Sequence, residues 1–357
     1  MSRAATLQTI ADRVGVSRAT VSNAFSRPEQ LSSALREKIL ATAEELGYAG
    51  PDPAGRALAR GTTGAVGVLL TDSLHEAFDD EVATAFLGGV VQELAPTGLA
   101  LTLLTADDGT DFVSARDVAI DGALIYSCKP TSTARDWLMR RRLPLVYVDQ
   151  IPDGDIPTVN VDDRGGARAA AQHLLELGHR RIGILNRAVD DSAGLIDDPL
   201  QTLQGHPQRE RLLGWLDALE PAGVRPTIVH VPHRHVPHGS DRDAREGART
   251  LLTLDERPTA ILCFADVIAF HAMAVARELG LDVPGDVSVV GFDDTASASR
   301  FVPALTTVRQ DVVAKGRAAA ALLTAAIERH RADAPGGAQH VLLDTELIVR
   351  DSTAPPR

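Results

Sequence analysis

Cysteine is nearly missing from this 357-residue chain. There are two, Cys128 and Cys263, each inside an apolar run and neither in a CxxC pair. A disulfide framework is therefore excluded, and buried thiols in a reducing compartment are expected. Long hydrophobic runs are also missing: none approaches the ~18–20 apolar residues of a membrane span. Arg3 is followed by no apolar signal segment, so a cytoplasmic location is expected. Catalytic signatures are absent as well. The first strand–helix junction, LLTDSLHEAFDDEV, has no GxGxxG, and the chain contains no GxxxxGK[ST] loop and no GxSxG elbow. No nucleophile is paired with a base, so neither enzymatic activity nor a cofactor is expected. Aromatic residues amount to only 4%, which disfavours a site built to stack a flat apolar molecule.

What is present is a charge asymmetry. The net charge is −12, which argues against a surface coated for nucleic acid. Yet residues 1–61 hold eight Lys and Arg against six Asp and Glu, while the rest hold 28 against 42. A mildly basic head precedes an acidic body. The length exceeds one ordinary core and implies two or three domains.

The head reads as three helices. Leu7, Ile10, Ala11 and Val14 follow an i, i+3, i+4, i+7 pattern with Thr6 as N-cap. Gly15 breaks that helix, and Ser17 can cap a second one anchored by Val21, Ala24 and Phe25. A third follows Ser32 and Ser33, carries Leu35, Ile39, Leu40, Ala43 and Leu46 on one face, and stops at Gly47. Two short helices joined by a tight turn, with a third across them, is the helix-turn-helix plan. The outward face of the second helix is short and polar, as a major groove requires. Arg18 can fork onto a guanine, Asn23 can bridge an adenine, and Ala19 can touch a thymine methyl. A plain three-helix bundle with a solvated second helix fits the same pattern.

Residues 49–63, AGPDPAGRALARGTT, have the proline and glycine content of a linker. PAGRALAR within it is too short to hold a helix alone. From residue 64 apolar strand patterns (64–71, 99–106, 122–128, 143–149, 157–162, 181–186, 227–232, 259–264 and 287–293) alternate with helical ones (163–178, 207–220, 241–254, 266–280 and 311–330). This predicts an α/β core of two doubly wound, parallel-sheet lobes. Residues 342–352 read as a last strand or hairpin.

Asp149, Asp162, Asp266 and Asp293 fall at strand ends, where doubly wound folds bind ligands. Four acceptors around one crevice suit a polyhydroxylated ligand. Helix capping is the ordinary use of the paired acids. His230, His233, His235 and His238 invite a metal reading, but their two prolines break regular spacing, and no metal site is assigned. A solvated or cleft-lining loop is the expectation there.

The stretch TLQTIADRVGVSRATVSNAFSRPEQLSSALREKILATAEELGY resembles the DNA-binding head of the lactose-repressor (LacI/GalR) family of bacterial regulators. HLLELGHRRIGIL, RPTAILCFAD, DVSVVGFDD and PALTTVRQD resemble its core segments, so the similarity spans nearly the whole chain. It implies a cytoplasmic homodimer, nucleoid-associated when bound, that reads a roughly palindromic operator and acts as a repressor. Arg18, Ala19 and Asn23 match base-reading positions, with Thr20 beside them. Thr6, Ser17, Ser22, Ser32 and Tyr48 match phosphate contacts, and Leu58 matches the hinge leucine wedged into the minor groove. The spacing from Tyr48 to Leu58 is one residue long, with Gly50 as the extra residue. The resemblance places a head at 1–49, a hinge at 50–63 and a periplasmic-binding-protein-like core at 64–357. Lobe 1 is assigned to about 64–157 and 292–322, lobe 2 to about 158–291 and 323–353. A small effector, a sugar or nucleoside-like molecule, is expected between the lobes, touched by His75, Phe78, Asp149, Arg168, Asp266 and Asp293. Ala265 replaces the usual Asn or Ser, which removes one expected hydrogen bond. Residues 187–211 look long enough for a lid. The competing reading is a solute-binding protein without a DNA-binding role.

Overall fold

The computed structural model describes residues 5–50, 52, 55, 57, 61–70, 74–105, 113–127, 132–188, 193–196, 205–232 and 239–357. The chain divides into two compact units, Met1–Gly64 and Ala65–Arg357.

In the first unit α1 (Leu7–Val14) starts at Thr6, whose hydroxyl and that of Thr9 cap each other's backbone N–H. Gly15 ends it at φ 80, the left-handed region that a side chain disfavours. That turn frees Ser17 to cap α2 (Arg18–Ser26), and Ser32 caps α3 (Ser33–Glu45). Ile10, Ala11, Val14, Val21, Ala24, Ile39 and Ala43 form the buried centre, with Phe25 set edge-on to Tyr48 at 5.8 Å.

The second unit holds two sheets. The first runs β12-β5-β4-β3-β1-β2 and the second β13-β11-β10-β9-β6-β8-β7. In the first, β1 (Ala65–Leu70), β2 (Ala100–Leu104), β3 (Ala123–Tyr126), β4 (Leu145–Val148), β5 (Thr158–Val161) and β12 (His340–Leu343) are all parallel. In the second, β6 (Ile182–Arg187), β8 (Thr227–Val231), β9 (Ala260–Cys263), β10 (Ser288–Asp293) and β11 (Thr306–Gln310) run parallel, with β7 (Gly194–Leu195) and β13 (Thr345–Ile348) antiparallel at the edges.

Between and after the strands lie α4 (Leu74–Asp79), α5 (Glu81–Leu94), α6 (Ser114–Asp117), α7 (Thr133–Arg140), α8 (Asp163–Glu176), α9 (His206–Leu219), α10 (Gly239–Leu252), α11 (Asp266–Glu278) and α12 (Val312–Arg331). Each sheet has its own apolar core, the second centred on Ile184, Trp215, Leu262 and Phe292. Helices α5 and α12 touch backbone to backbone: a Cβ on Gly89 would strike the Val313 carbonyl, and one on Gly316 the Phe86 carbonyl.

The chain crosses between lobes three times, and the crossings differ from the expected boundaries. Residues 158–161 belong to the first sheet, because β5 pairs with β4 and β12. Residues 288–310 belong to the second, where β10 and β11 pair in register. Helix α12 then packs on the first sheet. The tail is no hairpin: β12 and β13, separated by Asp344 alone, join different sheets. After β13, Ser352 is fully buried and pins the tail by donating to the Val289 carbonyl at 2.6 Å. Strand patterns locate elements well but carry no information about which sheet each joins.

Candidate functional site

Two sites follow from this frame, one in each unit. In the head, α2 buries Val21 and Ala24 and leaves Arg18 and Ala19 exposed in its first turn. The Ser17 hydroxyl accepts from the Thr20 N–H at 3.0 Å. Asn23 is not idle: its amide donates to Gln30 Oε1 at 3.0 Å, a partner that helical spacing could not reveal. Thr6, Ser17 and Ser32 each cap a helix N-terminus, where backbone N–H groups and the helix dipole favour an anion. Ser22 is half-buried, as is Tyr48. Leu58 lies outside the described residues.

The second site lies where the two lobes meet, and it is built from charge. Arg211, on α9 and almost wholly buried, donates from Nε to Asp163 Oδ1 at 2.7 Å and from Nη1 to the Phe264 carbonyl at 2.6 Å. Its guanidinium lies over the Phe264 ring at 4.5 Å and the Phe292 ring at 3.6 Å. Its Nη1 is 3.5 Å from Asp293 Oδ1. The Gln310 amide nitrogen donates to that same Asp293 oxygen at 2.6 Å. The Gln310 amide oxygen accepts from Lys315 Nζ at 2.8 Å, and Lys315 pairs with Asp149 at 2.6 Å. A continuous buried chain thus runs Asp163–Arg211–Asp293–Gln310–Lys315–Asp149 from one lobe to the other. Three carboxylates share two cations.

The backbone at the strand ends is bent to make this possible. Ser127, Asp149 and Asp293 follow or end strands with φ of 48, 54 and 123, conformations that non-glycine residues rarely adopt and that cluster at functional sites. Burial pushes the Asp293 carboxyl up to about 8, against the pull of Arg211. Burial likewise raises Asp163, again opposed by Arg211. Tyr126, stacked on Phe86 at 4.6 Å, is raised by burial and then by Asp149. At the rim Ser297, in the loop after β10, donates its N–H to Glu81 at the start of α5 at 3.3 Å, and its hydroxyl to the same carboxylate. The two lobes are therefore in contact at the mouth.

The residues proposed from sequence separate here. Asp149 and Asp293 join the buried chain. Asp266 is fully buried, but both oxygens are occupied: Oδ1 accepts from Thr307 Oγ1 at 2.5 Å and Oδ2 from the Thr295 N–H at 2.8 Å. Burial raises it to about 6, and its work is to hold the loop after β10. Asp162 caps α8 through Gly165 N–H at 2.9 Å. Phe78 is exposed on α4, and the His75 side chain lies outside the described residues.

Arg168 does not join the cluster. It is exposed on α8, where its charge reaches Asp217. Position 168 projects to solvent because Gly166, Ala167, Ala170 and Ala171 take the buried face of that helix. The arginine among the carboxylates is Arg211, on the next helix, where the sequence RERLLGW offered no contrast among its arginines. Ala265, at the N-cap of α11, makes no side-chain cap for that helix. Of the histidine segment, His233, His235 and His238 lie outside the described residues, and His230 is buried in β8. Residues 189–192 and 197–204 of the 187–211 stretch also lie outside them.

Comparison with known proteins matches residues 6–50 to the bacterial regulatory proteins of the lacI family and residues 171–353 to a periplasmic binding protein-like domain. An HTH-type transcriptional regulator of Mycolicibacterium smegmatis is 37% identical, the alignment covering 99% of this chain and 98% of that protein. The chain belongs to the LacI family. A second relative, the HTH-type transcriptional regulator IpsA of Corynebacterium glutamicum, is 37% identical with 91% and 92% covered. The solved transcriptional regulator CelR–cellobiose complex superposes with a TM-score of 0.68 at 26% identity, with 98% and 99% covered. As a LacI-family member the chain is a DNA-binding transcriptional regulator. Its fold is two parallel-sheet lobes of the periplasmic-binding type behind a helix-turn-helix head.

Proposed function

We propose that this regulator is a homodimeric repressor whose operator affinity is set by a neutral, polyhydroxylated small molecule, a sugar or nucleoside, bound between the lobes. The observation that carries this reading is the buried chain around Arg211, where both cations, Arg211 and Lys315, are already committed to Asp163, Asp293 and Asp149. With those cations committed and Asp293 held neutral by burial up to about pH 8, the site offers little to a phosphate group and exchanges hydrogen bonds with neutral hydroxyls instead. That CelR was solved with cellobiose supports a sugar. The Glu81–Ser297 contact at the rim fits a cleft that closes over its ligand. In the head, Arg18, Ala19 and Asn23 read bases, while Thr6, Ser17, Ser22, Ser32 and Tyr48 meet phosphates.

Lobe closure couples to DNA only if the ligand binds one lobe arrangement better than the other. A thermal-shift screen of the full chain against sugars, sugar phosphates, nucleosides and purines tests the reading, followed by titration of each hit against DNA selected from a random library. Stabilisation by an unphosphorylated sugar or nucleoside, together with a changed DNA affinity, is the expected result. Stabilisation by sugar phosphates alone, or hits that leave DNA affinity unchanged, would overturn it.

A further inference from the structure

The second sheet carries a row of side chains at its cleft end that the charged chain uses only in part. Strands β8, β6, β9 and β10 are parallel neighbours, and their registers align His230 with Asn186, Leu185 with Cys263, and Val290 with Leu262. Carried on by one and two residues, these registers put His230, Asn186, Phe264 and Phe292 side by side. Neighbours at one level of parallel strands point to one face of the sheet. That face is fixed by Arg211, whose guanidinium covers both Phe264 and Phe292. The opposite face is taken by α10, since a Cβ on Gly247 would meet Leu185, Val229 and Val231.

The row therefore has two halves. One, Phe264 and Phe292, is covered by the arginine. The other, Asn186 and His230, is equally buried, at 0% and 1% exposure. Among the described residues neither the amide nitrogen nor the amide oxygen of Asn186 has a hydrogen-bond partner. Gln208 stands three residues before Arg211 on α9, which packs against β6, and so lies on nearly the same helix face. Its Oε1 is also buried and without a partner among the described residues. A buried amide with both atoms unmet is costly and rare in a folded protein. Here the Asn186 side chain stands in the same row as Phe264, which Arg211 covers, and Gln208 shares the Arg211 face of α9.

We infer that Asn186 and Gln208 form a hydrogen-bonding subsite of the cleft, taking two adjacent hydroxyls of a neutral polyol ring. Asn186 Nδ2 donates to one hydroxyl, Asn186 Oδ1 accepts from its neighbour, and Gln208 Oε1 accepts a further hydroxyl proton. The carboxamides discriminate by hydrogen-bond pattern without adding charge, complementing the Arg211 half of the row. This assignment rests on the proposed ligand cleft and specifies which end of it reads the hydroxyls.

The test uses the full chain as wild type, Asn186→Leu, Gln208→Met and Asp293→Asn. In ligand-free thermal unfolding Asn186→Leu and Gln208→Met should melt at or above the wild-type temperature, because each replaces buried unmet amide atoms, both of Asn186 and the oxygen of Gln208, by an apolar group of similar shape. A lower melting temperature for both means that the amides serve the fold, and overturns the subsite. This arm decides the matter even if no probe binds. In the second arm cellobiose, glucose and adenosine are titrated against all four proteins. Any of them that binds wild type should bind Asn186→Leu and Gln208→Met at least about tenfold more weakly. Unchanged affinity for these two with loss in Asp293→Asn removes the subsite and keeps the cleft. Unchanged affinity in all three variants removes the cleft reading as well.

Discussion

Lys315 Nζ lies 2.6 Å from Asp149 Oδ2, in a pair whose side chains are only 1% and 7% exposed. The two are 166 residues apart; one lies in the first turn of α12 and the other directly follows β4. Removing one partner strands a buried charge, whereas removing both does not. Lys315→Met should therefore destabilise the core by about 3–5 kcal/mol in urea unfolding, and the double variant Asp149→Leu/Lys315→Met should recover most of that loss. Equal losses in the single and double variants would show that the pair is not the source.

Arg211 and Arg168 make opposite predictions. Arg211→Lys keeps a charge but loses the fork that spans Asp163 and the Phe264 carbonyl and the planar group laid on two rings. For a ligand found by thermal shift, its affinity should fall by about tenfold or more. Arg168→Ala, at an exposed helix position, should change neither that affinity nor stability beyond about 0.5 kcal/mol. Calorimetric titration of the two variants separates them.

Asp293 gives the ligand-free protein a pH dependence of defined sign. Its carboxyl is held at about 8 by burial, against an ordinary value of 3.8. As pH rises between those values the unfolded state gives up its proton first, so the folded state loses relative stability. The contribution is full in acid and gone above about pH 8. A series of melting temperatures from pH 5 to pH 9 should fall less steeply for Asp293→Asn, whose amide cannot ionise. Parallel curves for the two proteins would exclude Asp293 as the titrating group.

Arg18 is exposed in the first turn of α2, outside the head core. Arg18→Ala should cost about 1–3 kcal/mol of operator binding and relax preference at one base position, with the melting temperature unchanged. Anisotropy titrations against the selected operator and its single-base variants read this out. An undiminished preference at every position would remove Arg18 from the base-reading set.

Much of this protein was legible before any fold was known. Thr6, Ser17, Ser32 and Gly15 act as caps and a turn where the pattern placed them, because capping is decided within one turn of chain. The alternating apolar segments likewise gave two doubly wound lobes. Two features, one in the head and one at the cleft, were not legible. The Asn23–Gln30 contact joins residues seven apart across a helix end. Asp266 was expected to touch the effector, yet Thr307 and Thr295 occupy its oxygens.

The sequence by itself determined the head, the parallel-sheet class and the carboxylates at the strand ends, since these depend on local conformation and burial periodicity. Only the tertiary structure decided which cation those carboxylates meet and which sheet each late strand joins. Arg211 and Asp163 are 48 residues apart, and β12 and β13 part company across one residue. The free energy that selects such pairings comes from excluding water around charges brought together by the whole fold, and no stretch of chain shorter than that fold encodes it.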